Sequence, residues 1–312
     1  MEALLDVILP VFVVIGFGWT AARAGIFSDA AVDGLMKFAQ GFAVPCLLFR
    51  SIAHLDLAAV YDTNLFLAFY LGAFSCFVLG FLGALLIFKR PLPDCVAIGF
   101  VCLFSNSLLL GLPITERAYG RDALSGNYAI LSVHAPLFYA FGITIMEVVR
   151  SRGAGLSALS LGRQVIVAIF SNSLVVGIVA GFLVNFGIIP LPKVVFSGID
   201  MLASAAIPAA LFGLGGVLNR YRPSGDFGTI AMACTISLIV HPLITWALGR
   251  SVLGLTTDQL RSAVMTAAMA PGANAYMFAS LYGVAMRVAA SSVLIATAAS
   301  IVTIWCWLQI LP

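Results

Sequence analysis

The stretch Phe104-Ser105-Asn106-Ser107-Leu108-Leu109-Leu110-Gly111-Leu112-Pro113-Ile114 places three hydrogen-bonding side chains, a glycine and a proline inside a strongly apolar region. Proline deletes an N–H and clashes with the carbonyl four residues back, so it kinks or breaks a helix unless neighbours satisfy the freed groups. A second cluster of the same kind gathers Pro271, Gly272, Asn274 and Tyr276. Two interrupted helices whose breaks meet would present half-helix N-termini, where unpaired N–H groups and partial positive charge suit a carboxylate. Such a site needs no buried cation. Pro113 and Pro271 are expected to create the polar helix ends, Gly111 to permit close backbone approach, and Asn106 and Asn274 to hydrogen-bond the anion. Ser105 and Ser107 stay open between helix-bridging and ligand-binding roles.

Phe-Ser-Asn-Ser-Leu occurs again from Phe170 to Leu174, followed at the same spacing by Gly177. Asn172 or Ser171 there reads equally as an ordinary helix N-cap. Charged residues inside apolar spans are functional candidates by default. Lys37 lies eight residues before Pro45 and Asp200 eight before Pro208, so the two are expected to pair as structure or to serve coupling. His134 and His241, each followed closely by a proline, read as proton carriers or as hydrogen-bonded packing residues.

The elements that must hold these residues are membrane helices. The 312 residues are 62% hydrophobic and only 9% charged, a balance that cannot clothe a soluble surface. Ten apolar spans, each long enough for about 30 Å of hydrocarbon, run over 4–22, 31–52, 64–88, 94–116, 126–148, 164–186, 193–217, 228–249, 258–282 and 288–310. They leave no stretch for a sizeable soluble domain. Glu2 and Asp6 stand where a signal peptide would be basic, so the first span is expected to be retained. The six cysteines form no C-x-x-C and the three histidines are far apart, so no metal or cofactor is expected. Nor is nucleic acid, because the basic residues are scattered over short connections. Ten of the sixteen Lys and Arg fall on one side of the ten-span arrangement and six on the other, which directs both termini outward by the positive-inside rule.

The longest hydrophilic connection, 151–163, divides the spans five and five. Ala43-Val44-Pro45-Cys46-Leu47-Leu48-Phe49 and Ala206-Ile207-Pro208-Ala209-Ala210-Leu211-Phe212 share A-x-P-x-x-L-F at an offset of 163 residues, and the same offset carries Tyr119-Gly120 onto Tyr282-Gly283. Halves with an odd number of spans must enter the membrane from opposite sides, so the fold expected is an all-α protein of two inverted five-helix repeats, with helices four and nine broken and crossing.

These residues carry a resemblance. The patterns of spans two and seven, Asn106 through Pro113, and Pro271-Gly272-Ala273-Asn274-Ala275-Tyr276 with Ala279 and Tyr282-Gly283 are similar to the auxin efflux carrier family, over the full length and with a short central loop like that of bacterial members. The resemblance implies a fold like the bile acid sodium symporters, with a scaffold of spans one, two, six and seven (1–60 and 164–222) and a transport core of spans three to five and eight to ten (61–150 and 223–312). It implies a secondary carrier, not an enzyme, that moves small organic anions, auxin-like or malonate- and malate-like, by an elevator motion in a bacterial inner membrane. Asn106 matches the family's span-four substrate asparagine, and Asn172 one in span six that faces the same site. Two departures stand out: Ser173 occupies a position that is often proline, and plant members break span nine nearer the position of Ala275. Expected partners are the carboxylate, the bilayer and a second copy through the scaffold. A sodium-coupled symporter is the rival reading and would need acidic oxygens in the core, where few exist. A non-transporting membrane sensor would bring a soluble output domain.

Overall fold

Polar residues at the joints between apolar runs set where the helices begin. Ser28 accepts the Ala31 N–H at 3.3 Å, Asp62 accepts Asn64 and Leu65 N–H at 2.6 and 3.2 Å, and Thr256 and Gln259 form a reciprocal capping box. Asp226 accepts the Thr229 hydroxyl at 2.7 Å, a bond that holds its carboxyl below the usual carboxylate range. Glycines in the left-handed region end two of the helices, Gly120 at φ +86° and Gly283 at φ +67°.

The computed structural model describes residues 3–150, 158–170, 172–223 and 226–312. Among these the regular elements are all helical: α1 (Leu4–Arg23), α2 (Asp29–Ala53), α3 (Thr63–Leu86), α4 (Leu92–Leu103), α5 (107–119), α6 (Asp122–Arg150), α7 (Ala158–Phe170), α8 (Ser173–Asn185), α9 (Lys193–Arg220), α10 (Phe227–Val252), α11 (Thr257–Ala267), α12 (Ala273–Tyr282) and α13 (Met286–Ile310). Seven of them, α1, α2, α3, α6, α9, α10 and α13, are long and apolar enough to cross a membrane. Large apolar side chains such as Phe17, Phe42 and Leu86 face outward at 60% exposure or more. In water that surface would be costly; in hydrocarbon it is the expected exterior of an integral membrane protein.

The remaining three expected spans are not continuous helices. The fourth is α4 and α5 with Phe104–Asn106 between them, the sixth is α7 and α8, and the ninth is α11 and α12 with 268–272 between them. The interruption at the sixth was not anticipated. Ala158 to Arg163, expected in the central connection, belong to α7, while 151–157 and Ser171 lie outside the described residues.

Most packing partners fall into two sets, apart from α7, which lies against α6 as well as α8. In one, α1 lies along α9, and α2 against α8 and α9. Glycine allows the close approach: a Cβ at Gly18 would strike the Phe212 backbone, and one at Gly177 the backbone of Pro45. In the other, α3 packs on α4, α10 and α11, α6 on α4 and α11, and α13 on α10 and α12. Phe69, Phe100, Phe138 and Phe278 fill the centre of this second set. A shared apolar layer joins the two, with Ile15 and Leu214 packed in one cluster with Val264 and Ile304.

Ion pairs sit at helix ends. Arg220 bridges Asp29 at 3.0 Å and Asp33 at 2.6 Å. Arg50 pairs with Asp200 at 2.6 Å, which corrects the expected Lys37–Asp200 pair. Lys37 is exposed in the middle of α2, whereas Arg50 lies three turns further along the face that α9 covers, so the nearer cation takes the carboxylate.

Candidate functional site

The two breaks cross. The Asn106 N–H donates to the Ala270 carbonyl at 2.7 Å and the Gly272 N–H to the Phe104 carbonyl at 3.2 Å, making an antiparallel bridge between Ser105 and Pro271. Buried extended backbone must satisfy its polar groups within the protein, and each break supplies acceptors for the other. The Ser107 hydroxyl lies 2.8 Å from that of Ser105 and 3.4 Å from the Thr266 carbonyl. Asn127 on α6 donates to the Thr266 hydroxyl at 2.9 Å and braces the end of α11. Both serines therefore have bridging work, whatever else they do.

Helix restarts after each break under a different cap. Asn106 Oδ1 accepts the Leu109 N–H at 3.3 Å at the start of α5. Asn172 Oδ1 accepts the Leu174 N–H at 3.0 Å at the start of α8, beside Ser173, whose hydroxyl donates to the Gln40 carbonyl at 2.7 Å. Gly272 caps α12 with no side chain, and a Cβ there would press on Asn106 at 3.4 Å.

All three helix starts line one cavity of about 340 Å³. Asn106 and Ser107 come from the first break, Asn172 and Ser173 from α8, and Gly272, Ala273 and Asn274 from the second break. Asn106 is 7% exposed and Ser107 2%. His134, 3% exposed, also faces it. The α6 wall comprises Leu131, Ala135, Tyr139 and Ile143, a four-residue repeat that puts them on one helix face. Exposed Met277 and Leu281 form part of the rim. No Asp, Glu, Lys or Arg is among the lining residues. What the cavity offers is amide groups, a hydroxyl-rich floor, one imidazole and the partial positive ends of three helices.

Asn106, Ser107, Asn172, Asn274 and His134 are thus brought together, whereas Gly111, Pro113, Pro271 and Tyr276 do not line the cavity. The fourth span is interrupted at Phe104–Asn106, and Pro113 sits beyond it as the second residue of an α-helical turn, after a π-helical turn over Ser107–Gly111. The helix therefore runs on through Pro113, which is not where the chain breaks. Pro271 lies in the second break itself, and Ala275 is helical. Gly111 faces Met269, whose Cγ would be 3.4 Å from an added Cβ, and the Tyr276 ring packs on Tyr221 at 5.0 Å. Gln40, Ser173 and Tyr139 were missed. An isolated amide within an apolar span at Gln40, and the four-residue spacing through Tyr139, were the available signals.

Comparison with known proteins agrees with the resemblance read from the motifs. The family model described as "Membrane transport protein" matches residues 3–308. The "Putative malonate transporter" of Rhizobium meliloti (strain 1021) is 25% identical over 312 residues, covering 97% of this chain and 94% of that protein. The "Auxin efflux carrier component 5" of Arabidopsis thaliana is 24% identical over 219 residues, 59% of this chain and 61% of that protein. The "Lysosomal cholesterol signaling protein" of Mus musculus is 26% identical over 255 residues, 77% of this chain but only 29% of that much longer protein. With the match running through nearly every helix, the chain belongs to the membrane transport protein family, the family of the auxin efflux carriers.

Proposed function

We propose that the protein is a secondary transporter of small organic carboxylates and that the cavity at the crossed breaks binds the anion. The observation that carries this reading is the convergence of three helix N-termini on a cavity with no Asp, Glu, Lys or Arg among its lining residues. Each helix start contributes N–H donors and about half a unit of positive charge. Asn106 Nδ2 and the side chain of Asn274 add donors, Asn172 contributes from α8, and no carboxylate repels the ligand. A sodium ion would find amide and carbonyl oxygens but no carboxylate among the lining residues, which argues for sodium-independent transport.

In this reading the paired helices α4–α5, α7–α8 and α11–α12 each make one crossing, for ten in all, and the halves are inverted repeats with both termini outside a bacterial inner membrane. Residues 1–60 and 164–222 act as a scaffold, joined to a second copy in a dimer. Residues 61–150 and 223–312 carry the crossed breaks and move against it. The two packing sets support that division. The malonate transporter relative, aligned over nearly its whole length, favours small mono- or dicarboxylates.

The test is uptake of labelled malonate, malate and auxin into proteoliposomes, with and without a sodium gradient. Saturable uptake of at least one of them, unaffected by sodium, is expected. Uptake no faster than in protein-free vesicles across mono- and dicarboxylates would favour a non-transporting sensor, the reading prompted by the relative named as a signaling protein.

A further inference from the structure

His134 is the ionisable side chain for which neither the crossing nor the caps have a use. It is 3% exposed, lines the cavity, and has no well-formed hydrogen bond at either ring nitrogen. Its ring stands edge-on to Phe104 with centroids 4.8 Å apart, beside the backbone of Ser105 in the first break. Phe138 and Phe69 close its other sides at 4.5 and 5.6 Å. Beyond Phe69, at 5.4 Å from that ring, lies His241 of α10, itself 1% exposed and with Nε2 unpartnered.

Polar side chains buried without partners are uncommon and costly. An imidazole kept in that condition at the wall of a ligand cavity, with only the Ser105 backbone close to it, has a ring nitrogen free for whatever enters. On the helices around it, α3 carries Tyr70 and Cys76, α4 carries Asp94, Cys95 and Cys102, α10 carries Cys234, His241 and Arg250, and its own helix carries Asp122, Tyr128, Tyr139, Glu147 and Arg150; the Asp, Glu and Arg among them lie toward helix ends. Tyr70 is engaged, its hydroxyl donating to the Ile130 carbonyl at 2.8 Å. No Asp or Glu stands by to balance an imidazolium, and no Lys or Arg to balance a bound anion. The empty cavity therefore opposes a lone positive charge on His134, and a bound carboxylate beside a neutral imidazole lacks a full counter-charge. Brought in together, the proton and the anion neutralise each other where neither is well held alone.

We propose that His134 takes up a proton as a carboxylate enters the cavity, so that anion and proton bind, and cross the membrane, as a pair. The inference rests on the carboxylate reading above and adds its coupling. The proton comes from water on the open side, adds to a neutral ring nitrogen, and is released with the anion on the other side; no other bond is made or broken. His241, which does not line the cavity, takes no part.

The test is calorimetric binding of malonate and of auxin to the purified full chain, in pairs of buffers that differ in protonation enthalpy, at pH values where both probes are fully ionised. The wild-type protein is expected to take up one proton per anion, its affinity falling about tenfold for each unit of rising pH. His134→Gln, which keeps the size and hydrogen-bonding capacity of the residue, is expected to bind more weakly, with no proton uptake and a flat pH profile. His241→Gln is expected to keep the wild-type pattern. Wild-type binding without proton uptake overturns the coupling, whatever the variants do, and leaves the carboxylate site standing; so does undiminished uptake in His134→Gln. Failure of both probes to bind overturns the carboxylate reading and the coupling with it.

Discussion

At Phe104–Asn106 the chain leaves α4 and re-enters helix under a side-chain cap, Asn106 Oδ1 receiving the Leu109 N–H at 3.3 Å. At 268–272 it re-enters under Gly272, which has no side chain to cap with. The first break holds its proline downstream, at Pro113 inside α5, and the second holds Pro271 in the break itself. The two strands hydrogen-bond each other as equals, so the pairing does not require matching residues. What differs is which groups remain for a ligand. Half of the Asn106 amide is committed to its own helix, while the side chain of Asn274, the second residue of α12, makes no hydrogen bond among the described residues.

The sharpest way to break this comparison is Asn106→Asp. Aspartate caps a helix about as well as asparagine, so the unfolding midpoint in detergent should stay within error of wild type. A carboxylate in the cavity about 5 Å from a bound anion costs about 3 kcal/mol at an effective dielectric of about 20, and carboxylate uptake should fall about a hundredfold or more. Asn106→Ala should lose uptake and also about 1 kcal/mol of stability with the cap. Wild-type uptake in the aspartate variant would mean that Asn106 only caps.

How far the sequence anticipated this site follows from what kind of signal each residue gave. Asn106 was legible because an amide flanked by serines has no place in a plain membrane span, and such side chains bond nearby backbone at helix boundaries. The same five residues at Phe170–Leu174 signalled a third helix start at Asn172, where a chance repeat and a cap were equally good readings. Pro113 misled because proline was taken as the cause of the break, when the helix runs on through it behind a π-helical turn; the Ser-Asn-Ser before it was the truer marker. Lys37 and Asp200 misled differently. They hold corresponding positions in the repeat read from the sequence, which does not by itself bring two side chains together, and Asp200 found Arg50 instead. Gln40 and Tyr139 reach the cavity through tertiary packing; an isolated amide and a four-residue spacing mark them locally but do not say which cavity they face.

Asn274→Ala tests the other side of the comparison. This side chain caps nothing, so stability should change by no more than about 0.5 kcal/mol. If it donates to a carboxylate, its loss removes a charge-assisted hydrogen bond of about 1.5 kcal/mol, and uptake at limiting substrate should fall about tenfold. A variant that loses stability and keeps uptake would give Asn274 the structural role and return the ligand contact to Asn106 alone.

The smallest effects separate the two prolines. Leu112 donates to the Ser107 carbonyl five residues back, closing the wider π-helical turn from which Pro113 follows. Replacing Pro113 by alanine adds an N–H where a carbonyl one turn back can accept it, so the unfolding midpoint should correspond to a change within about 0.5 kcal/mol. Pro271 is bridged to Ser105 and buried. Alanine there frees the unfolded chain and adds a buried N–H for which the crossing provides no acceptor, and together these should lower stability by about 1–2 kcal/mol. It also removes the residue that forbids α11 from running on into α12. Equal responses at the two positions would mean that the break depends on the strand pairing alone, with proline incidental in both halves. An unequal response with the larger effect at Pro113 would restore that residue as the one that forces the chain out of helix.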